Sequence, residues 1–149
     1  MKTLFPALRI RDLDRAVAFY QALGYRELGR SDVGGGLILS WLSLDGDGDA
    51  VTLELSADPS VPSPEVGTGF SHLAIQVDDL TGFAQEVSTK GIAIGEIDYP
   101  AGPDGPKTVF LFDPDGYRLE LVEWPEGHPA DLVRADFEAG NRGESGNQQ

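Results

Sequence analysis

Leu13, Ala16, Val17 and Tyr20 form an apolar stripe at helical spacing, and 67 positions later Leu80, Phe83, Ala84 and Val87 form it again. The same shift carries Asp12 to Asp79 and Gly24 to Gly91. Each predicted helix therefore has an acidic N-cap and a glycine suited to the left-handed position after its last turn. In the preceding strand the shift superposes Phe5 on His72, and near the end of each half it becomes 66, laying Leu53-Glu54-Leu55 on Leu119-Glu120-Leu121. One insertion or deletion accounts for the change. A repeat of this length is too long for a solenoid unit, so the 149 residues read as one domain of two similar modules. Phe5, Glu54, His72 and Glu120 become equivalent positions, three of which carry side chains able to bind a metal.

The pattern along the chain gives each module the order β-α-β-β-β. Strands are expected at Thr3–Ile10, Tyr25–Gly29, Leu37–Leu44 and Ala50–Ser56, with a helix from Asp12 to about Leu23. Ala57–Gly69, with Pro59, Pro62 and Pro64, is a linker. The second module places strands at Ser71–Val77, Ile92–Ile97, Lys107–Phe112 and Tyr117–Glu123 and a helix near Asp79–Lys90. Asp113-Pro114-Asp115-Gly116 fits a type I turn. The expected domain is 1–124, with modules at about 1–57 and 70–124. In the tail, 125–149, Pro129–Ala139 is a candidate short helix and the residues from Gly140 on read as disordered. The loop Asp45-Gly46-Asp47-Gly48-Asp49 is no calcium loop, because Ala50 and Ser56 stand where glycine and a bidentate glutamate are needed.

Alternation along the strands decides which side chains share a face. Leu73, Ile75 and Val77 oppose His72, Ala74 and Gln76; Leu53 and Leu55 oppose Glu54; Leu119 and Leu121 oppose Glu120. The helices must cover the aliphatic faces, where their own stripes are buried. Glu54, His72 and Glu120 then lie on the uncovered face, and a face curved into a cleft makes them converge. Two carboxylates and an imidazole suit Zn, Ni, Mn, Co or Fe(II) and leave positions for water and substrate. Brought together, Glu54 and Glu120 repel, an electrostatic problem that a bound divalent cation resolves. His128, outside the repeat, reads as a surface residue.

Charge narrows the partners. Net charge is −14, from 25 acidic and 11 basic residues, a field that repels nucleic acid and anionic membranes and attracts cations. With no cysteine, disulfides, thiolate metal sites and a cysteine nucleophile are excluded. The absence of a leader-like or membrane-spanning run points to a cytoplasmic protein with a small-molecule ligand.

The paired modules resemble the vicinal oxygen chelate superfamily, which includes glyoxalase I, bleomycin-resistance and fosfomycin-resistance proteins and extradiol dioxygenases. So does Leu8-Arg9-Ile10-Arg11-Asp12-Leu13-Asp14-Arg15 running into Phe19-Tyr20 and Gly24. Ser71-His72-Leu73-Ala74-Ile75-Gln76-Val77-Asp78 and Asp113-Pro114-Asp115-Gly116-Tyr117-Arg118-Leu119-Glu120-Leu121 are most similar to glyoxalase I, lactoylglutathione lyase. The resemblance implies an α+β fold, two tandem βαβββ modules forming a curved mixed sheet with a cleft. It also implies a homodimer whose cleft combines modules of two subunits, and a carbon–sulfur lyase using a divalent metal (Zn, Ni, Mn or Fe) on Glu54, His72 and Glu120. Glu120 or Glu54 then shuttles the proton. The family's first ligand, a histidine, is Phe5 here. Arg9 matches an arginine that helps bind glutathione, and Asp58 stands where an asparagine is expected. The opening around Phe5-Pro6-Ala7-Leu8 looks closer to the bleomycin-resistance branch, metal-free dimers that sequester a cationic antibiotic. In that reading Phe5, Trp41, Phe110, Phe112 and Tyr117 line a ligand groove.

Overall fold

The computed structural model describes residues 1–128 and 131–140. In chain order it has β1 (Ala7–Arg9), α1 (Leu13–Ala22), β2 (Arg26–Asp32), β3 (Ile38–Ser43), β4 (Leu53–Ala57), β5 (Leu73–Gln76), α2 (Leu80–Thr89), β6 (Lys107–Phe112), β7 (Arg118–Glu123) and α3 (Arg134–Gly140). Both repeat helices start as their sequences dictate. The Asp12 carboxylate accepts the backbone N–H of Arg15 at 3.0 Å, and that of Asp79 accepts Gly82 N–H at 2.9 Å. Gly24 and Gly91 follow the helices at φ 105° and 80°, where a β-carbon would be strained.

The strands form two mixed sheets, ordered β1-β4-β3-β2 and β5-β7-β6, one from each module. The first strand of each module runs parallel to the last, β1 on β4 and β5 on β7, and the remaining pairs are antiparallel. The second module differs from the first in one strand. Ile92–Ile97 is not a regular strand: Ile94 makes an isolated bridge to Leu111 of β6, and Asp98, just beyond the segment, makes another to Thr108. Between them Gly95 N–H donates to the Phe110 carbonyl at 3.0 Å. Glycine contributes no side chain to a sheet face, which disfavours a continuous ladder there. The opening strand is also shorter than the expected Thr3–Ile10.

The inward faces of both sheets and one stripe of each helix share a single core. Leu53, Leu55, Leu119, Leu121, Tyr20, Leu80 and Val87 are essentially inaccessible. Polar contacts tie the modules together around α1 and the β6–β7 turn. The Tyr20 hydroxyl donates to Asp113 Oδ2 at 2.9 Å, the Tyr117 hydroxyl to the Arg9 carbonyl at 2.9 Å, and Arg11 N–H to Asp115 at 2.9 Å. Gly116 N–H closes the turn on the Asp113 carbonyl at 3.1 Å.

The segment after β7 is not a plain surface tail. The Trp124 indole and Asp131 N–H both donate to Gln76 Oε1, at 3.0 and 3.3 Å. His128, expected as a surface residue, stacks on Trp124 with ring centres 4.8 Å apart and lies 3.4 Å from Asp136. The C-terminal helix begins at Arg134, later than expected; Pro129, Ala130 and the residues after Gly140 lie outside the described residues.

Candidate active site

Period-two alternation leaves each sheet with one face outside the shared core. On the first sheet this open face carries Ala7 and Arg9 of β1, Glu54 of β4 and Trp41 of β3. Register places Glu54 between Ala7 and Trp41. The Trp41 indole N–H donates to Glu54 Oε2 at 2.7 Å, pinning a half-buried carboxylate. Phe5, also half-buried, precedes β1, where the Pro6 carbonyl accepts Glu54 N–H at 3.0 Å and holds that segment against β4. Arg9 is exposed. Asp58 sits below the ordinary carboxylate range because the Ser60 hydroxyl and N–H both bond it, with a smaller contribution from the charge on Arg9.

The second sheet's open face carries His72 and Gln76 at β5, Arg118 and Glu120 on β7, and Phe110 and Phe112 on β6. His72 Nε2 lies 3.0 Å from Glu120 Oε2, and its Nδ1 lies 2.8 Å from the Ser71 hydroxyl. A hydroxyl both donates and accepts, so Ser71 can serve either imidazole tautomer. Phe110, directly across from Glu120, meets His72 edge to face with ring centres 5.8 Å apart. The Arg118 guanidinium carbon lies over the Phe110 ring, 3.6 Å from its centre. Phe112 is exposed.

The structure therefore brings two of the three expected metal ligands together. His72 and Glu120 meet; Glu54 lies on the other sheet. Among the described residues no three His, Asp or Glu side chains of one chain are placed to hold a metal ion. The reason is topological: the modules are joined through their covered faces, so their open faces do not close on each other within one chain. Tyr117, expected as a groove residue, is buried and spends its hydroxyl on the Arg9 carbonyl. A cleft of about 700 Å³ lies between Leu23, Tyr25 and Leu44 of the first module and Leu73, Phe83 and Trp124 of the second. Glu54, His72 and Glu120 do not line it.

Sequence reasoning missed three contributors. Arg118 follows from the alternation that located Glu120, and Ser71 from its position beside His72. The bond from Trp41 to Glu54 required the β3–β4 register, which hydrophobic pattern does not fix.

The glyoxalase/bleomycin resistance protein/dioxygenase superfamily model matches residues 4–121. A lactoylglutathione lyase of Haemophilus influenzae is 38% identical over 128 residues, covering 83% of this chain and 93% of that protein. Glyoxalase I of Zea mays superposes with a TM-score of 0.72 at 30% identity; the match covers 83% of this chain and 44% of the maize chain, so this chain spans about half of that protein. A bleomycin-binding protein in complex with bleomycin superposes with a TM-score of 0.58 at 27% identity, covering 83% of this chain and 98% of that one. The match across nearly all of both modules places the chain in the glyoxalase/bleomycin resistance protein/dioxygenase superfamily.

Proposed function

We propose that this protein is a glyoxalase-like lyase that isomerises a hemithioacetal, or another small α-hydroxycarbonyl, by moving a proton between adjacent carbons. The observation that carries the reading is the pair His72 Nε2 and Glu120 Oε2, 3.0 Å apart on an open sheet face. With metal–ligand bonds of about 2.1 Å, ligands at right angles lie about 3.0 Å from each other. The pair thus has the spacing of two neighbouring donors on one divalent cation, and its imidazole–carboxylate chemistry suits Zn, Ni, Mn or Fe(II). Glu54, at the repeat-equivalent position of the first sheet, is the third donor, supplied by a second copy of the chain in a homodimer. That arrangement is supported by the separation of the two open faces within one chain.

A cation held there supplies positive charge beside the substrate's oxygens as the carbon acid ionises. The protein's own part is proton transfer and orientation. Glu120 would take the proton from one carbon and return it to the next, and Glu54 is the other carboxylate able to fill that role. Trp41 keeps Glu54 turned to the open face, and Ser71 fixes the His72 ring. Phe5 contributes no donor at the remaining position, so affinity for the cation falls below that of a four-ligand site.

Metal analysis of the purified protein, joined to a methylglyoxal–thiol assay, tests the reading. One Ni, Zn, Mn or Fe per site, lost with the activity in His72→Ala and Glu120→Gln, supports it; a metal-free protein with no turnover refutes it. The likeness to a bleomycin-binding protein favours one alternative, a metal-free binder of a cationic ligand with Phe5, Trp41, Phe110 and Phe112 as its walls. That reading requires bleomycin binding that weakens steeply with salt.

A further inference from the structure

Among the described residues Arg118 is a cation without an acid partner, in a chain that is rich in acids. Three of the side chains around it on the second sheet are already engaged. His72 holds Glu120, Glu120 lies directly across from Phe110, and Phe110 carries the guanidinium 3.6 Å above its ring. Arg118 lies two residues from Glu120 on the same face of β7, close enough for two flexible side chains to pair, yet Glu120 turns to His72. Among the described residues, no carboxylate pairs with Arg118. The parallel register of Leu73 with Leu119 sets His72 beside Arg118 on neighbouring strands, about 4.8 Å apart in the sheet. Glu120 is one two-residue step along the same strand, about 6.8 Å away.

A guanidinium laid flat on a phenyl ring keeps its donors in the plane, pointing outward from the ring's edge. The stacking removes most of the side chain's freedom, so those donors are already oriented when a ligand arrives. The ring beneath also meets His72, the two rings nearly perpendicular with centres 5.8 Å apart. Phe110 thus couples the arginine to the metal-ligand histidine, and both address the same open surface.

We propose that Arg118, seated on Phe110, is a carboxylate-binding subsite of this face, and that the ligand carries its carboxylate within a few bonds of the carbons that react at His72 and Glu120. The planar fork of donors matches a carboxylate bidentately. With a net charge of −14 the protein's field penalises a dianion more than a monoanion, which favours a carboxylate over a phosphate. The short spacing favours a compact 2-hydroxy or 2-oxo acid unit over a carboxylate at the far end of a long thiol. This inference rests on the open face of the second sheet being the ligand face, as in the proposed function.

The test compares lactate with lactamide, which differ in charge and hardly in size. Dissociation constants are measured by ligand-observed NMR on the full chain, treated with EDTA and then reloaded with Zn. In both states the wild-type protein is expected to prefer lactate about tenfold or more. Arg118→Met, which keeps an apolar stem on Phe110, is expected to bring that preference close to one. It should leave lactamide affinity, zinc affinity and Tm unchanged. Arg118→Lys should restore part of the preference, since it returns the charge without the planar fork. Phe110→Leu should weaken the preference by removing the platform. No preference in the wild-type protein, or one that survives Arg118→Met, overturns the proposal. Failure to bind zinc would count against the metal-dependent reading, while the EDTA-treated protein would still decide the role of Arg118.

Discussion

Replacing Tyr20 by phenylalanine probes the junction on which the relative placement of the modules depends. The Tyr20 hydroxyl is the side-chain donor to Asp113 Oδ2, at 2.9 Å, and both residues are buried. The other oxygen, Oδ1, takes the N–H groups of Asp115 and Tyr117 at 2.9 and 2.8 Å. Removing the hydroxyl strips one donor from a buried carboxylate and leaves ring packing nearly intact. A hydrogen bond to a charged group is worth about 1.5–3 kcal/mol, so Tyr20→Phe should cost about 2 kcal/mol at neutral pH. For a chain of this size that corresponds to a fall in Tm of roughly 5–8 °C.

The pH dependence makes the prediction stricter. Burial raises the Asp113 carboxyl above its ordinary value, and the Tyr117, Tyr20 and Asp115 hydrogen bonds only partly offset it. Folding therefore favours the protonated form, and that contribution to stability is lost as pH rises through the folded-state value. Tyr20 bonds the ionised form, so the deficit of Tyr20→Phe should be full near pH 7.5 and shrink as pH falls through the folded-state value of Asp113. Urea unfolding followed by circular dichroism at several pH values between 7.5 and 4 measures it. A deficit below about 0.5 kcal/mol at neutral pH, the lower limit for a net hydrogen bond, refutes the reasoning, as does one that does not change with pH.

Other perturbations test separate parts of the molecule. Leu53→Ala, at an inaccessible core position, should destabilise by about 2–5 kcal/mol in urea unfolding. Glu123 is held below its ordinary value first by Lys107, at 2.6 Å, and then by the Leu80 N–H that it caps. Its contribution is present above the unfolded-state value and is lost as pH falls through the folded one, so Glu123→Gln should lower Tm at pH 7 and match wild type in acid. Asp12→Ala should cost about 1 kcal/mol by removing the cap of α1, read in the same unfolding assay. If Glu54 is a metal ligand as proposed, Trp41→Phe, which leaves it without its indole donor, should weaken zinc affinity by about tenfold in calorimetry while leaving Tm within a few degrees.

Much of the fold was legible in the sequence because its causes are local and occur twice. Asp12 and Asp79 cap their helices through their own side chains, Gly24 and Gly91 adopt the one backbone conformation that glycine alone takes easily, and period-two alternation put Leu53 and Leu119 inside and Glu54 and Glu120 outside. The strand assigned to Ile92–Ile97 failed because its pairing depends on a neighbour from elsewhere in the chain and Gly95 gives that pairing little support. His128 was read as surface because its stacking on Trp124 arises from a turn that has no counterpart in the repeat.

The candidate site divides in the same way. Residue types and faces followed from pattern alone: Glu54, His72 and Glu120 are where alternation put them. The distance of Glu54 from the other two did not, because it depends on how one module is set against the other, and that is fixed by buried contacts such as Tyr20 with Asp113, 93 residues apart. Strand pairing within the second sheet joined His72 to Glu120 and laid Arg118 on Phe110, while packing through the covered faces left Glu54 on a separate sheet. A sequence pattern can say which way a side chain points from its own strand; only the packed core decides what it meets.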